Sequence, residues 1–290
     1  MNYRYISRLD SEYPQRLQNI PDPPSGIYVS GVLPPNNVKT VAIVGSRACS
    51  EYGKCMAKEF ALELAKAGVV IVSGLARGID GIAQEAAVRS GGISVGVLGC
   101  GIDVVYPASN ARVYDLVCQK GGIISEYPPG RPAIAGQFPA RNRIISGLAD
   151  AVLVVEAKRR SGTSITVNRA LEQGKDVYAI PGRIYDECSR GCNELIASGA
   201  YIALSPDVIL DGLGIKTKAE EKADIDNAVI SSLTEDEVKV LKCLEYQPVD
   251  VESLFEKTKL PLQDLYVILL NLQLKGLCKE VATNQYCRVK

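Results

Sequence analysis

The sequence predicts an α/β fold, a doubly wound and mostly parallel sheet, followed by a small C-terminal domain of three helices and a hairpin. Three observations carry this. Short apolar runs recur from Val41 onward: VAIVG (41–45), VVIVSG (69–74), ISVGVLG (93–99), GIISE (122–126), AVLVVEA (151–157), DVYAIPG (176–182) and AYIAL (200–204). Helix-length segments separate most of them, among them EYGKCMAKEFALELAKAG and TSITVNRALEQG. After residue 210 the composition turns acid-rich and polar before helical patterning resumes. Strands that are apolar throughout are covered on both faces, and alternation with helices makes the crossovers parallel.

Along the chain, residues 1–38 are proline-rich and read as an extended N-terminal arm over the edge of the main domain. Residues 39–212 form the doubly wound domain, and residues 213–232 a polar linker. Residues 233–290 begin with a capping box, Thr234 followed three residues on by Glu237. Helical segments at 234–246, 251–258 and 261–275, then the strand candidates LCKEVA and QYCRV, give the outline of a winged helix.

Composition excludes several classes of function. The chain has 290 residues and no histidine, so Ser-His-Asp and Cys-His mechanisms cannot operate. Nine scattered cysteines without a CxxC pair argue against a disulfide framework or a zinc ribbon; Cys188 and Cys192 are the only close pair. No run is long enough to span a bilayer and no signal-peptide core opens the chain, so a cytoplasmic protein with no membrane contact is expected. Neither GxGxxG nor GxxxxGK[ST] occurs, and no metal or cofactor is expected.

Net charge is zero, with 33 basic and 33 acidic residues, but its distribution is uneven. Between Arg131 and Arg183 nine basic residues face four acidic ones, a local footprint suited to a polyanion. Ligands of doubly wound sheets bind beyond the carboxyl ends of the strands. There the sequence places Gly45-Ser46-Arg47, then Ser73-Gly74-Leu75-Ala76-Arg77-Gly78, then Ser161-Gly162-Thr163. Glycines admit a phosphate close to backbone amides, and Ser, Thr and Arg donate to its oxygens; tight turns with capping residues would look the same. Residues 126–147 are expected to run as a long loop along this edge, presenting Phe138 for base stacking beside Arg141, Asn142 and Arg143. The alternative buries Phe138 and pairs Arg143 with Glu126 or Glu156. Asp80, Asp103, Glu126 and Glu156 are expected to orient guanidinium groups rather than to catalyse, with Arg77 a ready partner for Asp80.

The strings GSR (45–47), SGLARGID (73–80), GCGIDVVYPASN (99–110), SEYPPG (125–130), FPARNRIISGLADAVLVVEA (138–157), SGTSIT (161–166) and GCNELIASGA (191–200) resemble the DprA/Smf family in order along the chain. The family comprises DNA-processing proteins of bacterial natural transformation. The resemblance implies an extended Rossmann-like fold that binds single-stranded DNA, forms a homodimer, and loads RecA onto strands coated by single-strand-binding protein, without chemical turnover. It implies DNA or phosphate contacts by Gly45, Ser46, Arg47, Gly74, Arg77, Phe138, Arg141, Asn142, Arg143, Ser161, Gly162 and Thr163. Two departures stand out: the additional N-terminal helical domain of many relatives is not expected here, and Ser164 and Val167 replace an expected Leu and Ala. The C-terminal segment resembles the family's winged-helix appendage. Its eight basic residues against nine acidic ones, and a mostly apolar PLQDLYVILLNLQLKG helix, point to a protein contact or self-association rather than to DNA. Competing readings are a nucleotide- or phosphate-binding Rossmann protein and a LOG-type nucleotide phosphoribohydrolase, whose PGGxGTxxE turn is absent.

Overall fold

The computed structural model describes residues 2–159, 161–216, 233–245 and 248–288, in two compact units, residues 1–215 and 216–290. Most of the expected linker (217–232) lies outside the described residues, as does Arg160 of the basic segment.

The first unit is built on a nine-stranded sheet. Its elements are β1 (Arg4–Ser7), α1 (Gln15–Gln18), β2 (Gly26–Gly31), β3 (Thr40–Val44), α2 (Glu51–Lys66), β4 (Val70–Ser73), α3 (Ile79–Arg89), β5 (Ser94–Leu98), α4 (Ala111–Lys120), β6 (Gly122–Ser125), α5 (Gln137–Leu148), β7 (Ala151–Val154), α6 (Gly162–Glu172), β8 (Asp176–Ala179), α7 (Glu187–Ala197), β9 (Tyr201–Ile202) and α8 (Pro206–Gly212). The strand order is β1-β2-β6-β5-β4-β3-β7-β8-β9. From β6 to β9 every pair is parallel, while β2 pairs antiparallel with β6 and with β1. Residues 4–31 are therefore integral strands of the sheet, not an arm laid over it.

Period-two alternation sends successive side chains to opposite layers. On β3, Ala42 and Val44 join the core under α1, α5 and α6, while Val41 and Ile43 join the core with Ala57, Phe60 and Leu64 of α2. Val152 and Val154 of β7 divide from Ala151 and Leu153 in the same way. All are essentially inaccessible to solvent, and each buried Val, Leu or Ile contributes about 1.5–3 kcal/mol. The chain winds from β3 outward to β6, then returns through α5 to β7 on the other side of β3. Connections leaving β3 and β7 thus diverge to opposite faces, and the sheet opens a crevice between them.

The second unit comprises α9 (Glu235–Cys243), β10 (Val249–Asp250), α10 (Val251–Thr258), α11 (Leu262–Leu274), β11 (Cys278–Ala282) and β12 (Gln285–Arg288). Its strands form a sheet in the order β10-β12-β11 against a core that includes Val240, Leu254, Leu265, Leu269 and Leu272, a winged-helix arrangement. The capping box forms as read: Thr234 Oγ1 accepts from the Glu237 amide, and Glu237 returns to the Thr234 amide. Lys275 Nζ donates to both Glu237 oxygens at 2.9 Å, and this bond holds the Glu237 carboxyl below the usual carboxylate range. A depressed native pKa gives stability that is complete above the unfolded value, about 4.3, and lost as pH falls through the native one. Thermal unfolding of the full chain followed by circular dichroism across about pH 3 to 7 is expected to show this acid loss. Glu237→Gln should flatten it and cost about 1 kcal/mol at neutral pH.

No helix among the described residues is long and apolar enough to cross a membrane.

Candidate functional site

The crevice beside β3 and β7 is an open cleft of about 830 Å³. One wall is the loop after β3, Gly45 to Ala48. Lys158, Arg159 and Ser161, with the start of α6, come from the connection after β7. The N-terminal half of α5, through Phe138, Pro139, Arg141, Asn142 and Ile145, faces the same space. Tyr106, Ala76 and Asp80 also line it.

Backbone geometry fixes the β3 loop. The Ser46 amide donates to Glu156 O (2.8 Å), and Ser46 O accepts from the Ile79 amide (3.2 Å). A Cβ on Gly45 would sit 2.7 Å from Ile79 Cγ1, so no larger residue fits. Gly78 has φ +75° and would place a Cβ against Ser46 O, which makes glycine mandatory. The Glu156 carboxylate is buried and caps α2: Oε2 accepts from the Ser50 amide at 2.9 Å and Oε1 from Ser50 Oγ at 2.5 Å. It orients a helix and not, as expected, a guanidinium.

The floor is Arg141, only 3% exposed. Its Nη1 donates to Gly74 O (2.9 Å) and to Val97 O. Burial pushes its pKa down to about 10, with Asp80 opposing that shift, so the group stays cationic at neutral pH. Asp80, also buried, accepts from the Gly74 amide at 3.2 Å. Burial pushes its carboxyl up, against Arg141, the Gly74 amide and Ser73. Asp80 therefore answers Arg141, in place of the expected Arg77. Arg47 and Arg141 approach the Phe138 ring at 5.5 and 5.9 Å from its centroid, within cation–π range.

Of the twelve residues implied by resemblance, the cleft gathers Gly45, Ser46, Arg47, Phe138, Arg141, Asn142, Ser161, Gly162 and Thr163. Gly74, Arg77 and Arg143 are not in its lining. Gly74 lies beneath the Arg141 guanidinium, and Arg77 is exposed in the turn before α3. Arg143 is a correction. It is 6% exposed and its two Nη atoms grip Glu126 at 2.9 and 2.7 Å, while its Nε meets Asp22 at 2.9 Å. The expected loop over 126–147 is also corrected: residues 137–148 are helix α5. Residues two apart on a helix project about 200° apart, so Arg141 and Arg143 cannot share the cleft.

The basic segment is more neutralised than its sequence suggests. Lys158 pairs with Glu187 (3.0 Å), Arg159 with Glu194 (2.6 Å) and Arg169 with Glu172 (2.8 Å). These pairs are exposed and screened by water, so Lys158 and Arg159 remain exchangeable at the cleft rim.

Sequence reading missed Tyr106 and Asn110. Tyr106 is 47% exposed, with its ring 5.5 Å from that of Phe138. Asn110, from the same GCGIDVVYPASN string, donates to Leu75 O (3.0 Å) and Ala76 O (2.8 Å). Those bonds hold a turn in which Leu75 adopts φ +53°, a left-handed conformation that a branched residue keeps only under constraint. The signal was an aromatic residue before proline in a segment following a buried strand. Among the described residues, no group of three Cys, Asp or Glu side chains is placed to hold a metal ion.

Fold and cleft together define a Rossmann-like protein with an open, arginine-lined cleft at its topological switch point. Residues 4–214 match the family described as DNA recombination-mediator protein A, and residues 226–282 match the DprA winged helix domain. The chain belongs to that family. DNA processing protein DprA of Streptococcus pneumoniae is 46% identical over 205 residues, 71% of this chain and 72% of the relative. Protein Smf of Escherichia coli is 40% identical over 275 residues, 92% of this chain and 73% of the relative. The X-ray structure of the pneumococcal protein superposes with a TM-score of 0.68 at 42% identity, covering 72% of this chain and 74% of that one. A structure of DNA processing protein A from Helicobacter pylori, described for its single-stranded DNA binding mode, gives 0.65 at 32% identity, covering 73% and 95%.

Proposed function

We propose that this protein is a non-enzymatic recombination mediator: it holds and protects single-stranded DNA in the cleft and loads RecA onto it in place of single-strand-binding protein during DNA uptake and natural transformation. The observation that carries the reading is the meeting, in one cleft, of Arg47, Lys158 and Arg159 with the start of α6 and an exposed aromatic ring. Cations and helix-terminal amides take phosphates, and an aromatic face takes any base, which gives strand binding without sequence preference. The Helicobacter pylori relative, described for binding single-stranded DNA, supports it. The protein acts in the cytoplasm, where RecA and its DNA are.

The test is whether the protein speeds RecA assembly on an oligonucleotide coated with single-strand-binding protein. Arg47 is exposed, so Arg47→Ala should leave the melting temperature unchanged while weakening oligonucleotide binding about tenfold. It should also reduce the slope of log affinity against log salt by about 0.7. Strand binding by Arg47→Ala equal to the parent's removes Arg47 from the interface, and no effect on RecA assembly removes the mediator role.

The homodimer forms through the β9 edge of the sheet. Tyr201, Ile202 and Leu204 are exposed there beside an open strand, with Ile184 and Tyr185 also exposed, a combination that invites pairing with a second copy. Leu204→Lys is expected to halve the mass measured by light scattering; an unchanged mass places the interface elsewhere. In the second unit, Leu262, Tyr266, Val267, Leu270 and Leu274 stand exposed on α11 and serve a protein contact, not DNA.

A further inference from the structure

Two sets of groups in the cleft are only partly satisfied among the described residues, and each selects a different part of a nucleotide. The first set is polar. Ser161 occupies the N-cap position of α6 in an extended conformation, yet its side chain makes no capping bond. Its Oγ is buried with no hydrogen-bond partner among the described residues, and the same holds for Nε of Arg141, a side chain almost wholly buried in the lining of the same cleft. A serine there ordinarily satisfies an amide of the first turn, and buried donors are ordinarily satisfied. Here a buried hydroxyl and a buried guanidinium N–H, neither with a partner among the described residues, belong to side chains that line one cavity beside a helix N-terminus with no side-chain cap. A tetrahedral oxyanion answers all three at once.

The second set is aromatic. Phe138 is the ring the sequence offers for stacking, but two guanidinium groups already approach it, and more of it is buried than of Tyr106. The aromatic surface left to a ligand is that of Tyr106, close to half exposed and packed against Phe138. Phe138 is thus a support, and Tyr106 the platform. The cavity, about 830 Å³, falls in the range of small-molecule sites, about 300–1,000 Å³.

The geometry points to a seat for one nucleotide, its phosphate at Ser161, Arg141 and the N-terminus of α6, and its base on Tyr106. A free nucleoside monophosphate fills this seat in competition with a strand. The inference rests on the strand-binding reading for the location of the site, and adds a small ligand and the residue that meets its base.

The chain contains no tryptophan, so Tyr106→Trp places a single tryptophan, excited selectively at wavelengths beyond tyrosine absorption, inside the cleft. Full-length protein carrying this change is titrated with thymidine monophosphate, thymidine, inorganic phosphate and oligothymidylate. Saturable quenching by thymidine monophosphate and by oligothymidylate is expected, with no quenching by phosphate alone. Tyr3→Trp, on the distant β1 side, should stay silent. On the parent chain, thymidine monophosphate should displace a labelled oligonucleotide better than chloride at matched ionic strength. Ser161→Ala and Tyr106→Ala should each weaken that displacement about tenfold. If the oligonucleotide binds with steep salt dependence but thymidine monophosphate does no more than chloride, the seat is refuted and the strand reading stands. If thymidine monophosphate binds and oligonucleotides do not, the seat stands and the strand reading falls. Displacement unaffected by Tyr106→Ala removes the base platform and overturns the inference as stated.

Discussion

Arg143→Ala is expected to destabilise the first unit by about 3 kcal/mol while leaving the salt dependence of strand binding unchanged. Arg143 grips both oxygens of Glu126 and also meets Asp22 and the Ala140 carbonyl. One side chain therefore ties α5 to the end of β6 and to the segment before β2. Glu126 is about a quarter exposed (25%), so water softens the loss and the lower end of the range for broken buried pairs applies. The measurement is the midpoint of urea unfolding at constant m-value, paired with oligonucleotide titration of the folded variant. A variant as stable as its parent but deficient in binding would return Arg143 to the interface.

Arg141→Ala is expected to cost more, about 3–5 kcal/mol, because it strips a wholly enclosed cation from Gly74 O, Val97 O and the Asp80 carboxylate. Its pH dependence identifies the cause. Asp80 is already pushed up by burial, and without Arg141 beside it rises further. A raised native pKa means that the folded state holds the extra proton, so the deficit of the variant shrinks as pH falls toward the unfolded carboxylate value near about 3.9. Adding Asp80→Asn should recover part of the loss at neutral pH and remove that dependence. A deficit that stays constant from neutral to acid pH would show that the carbonyl contacts, and not the uncompensated carboxylate, set the cost.

The parallel core was legible because β3, β4, β5 and β7 are uninterrupted apolar runs between glycines and helix starts. Two segments misled for one reason, proline. Residues 4–31 carry Pro14, Pro21, Pro23 and Pro24, yet the prolines fall outside β1 and β2, where no ladder bond is lost. Residues 126–147 carry four prolines, but Pro139 sits in the first turn of α5, whose amides have no intrahelical acceptor. Once that segment is a helix, Phe138, Arg141, Asn142 and Ile145 fall on one face at spacings of three and four, and Arg143 on another. The cleft's location followed from topology. Its inner wiring did not, because which arginine meets solvent and which a carboxylate depends on residues such as Asp22 and Asp80, distant in sequence or hidden in a motif.

The pairing of Lys158 with Glu187 and of Arg159 with Glu194 bears on how tightly a polyanion is held. Both cations already carry tethered counter-ions supplied by α7. An incoming phosphate must exchange with a carboxylate that stays attached to the protein, so fewer mobile ions are set free than the number of cations would suggest. For the mediator proposed above, affinity is thereby moderated, and release is assisted by glutamates that recapture the cations as a strand departs.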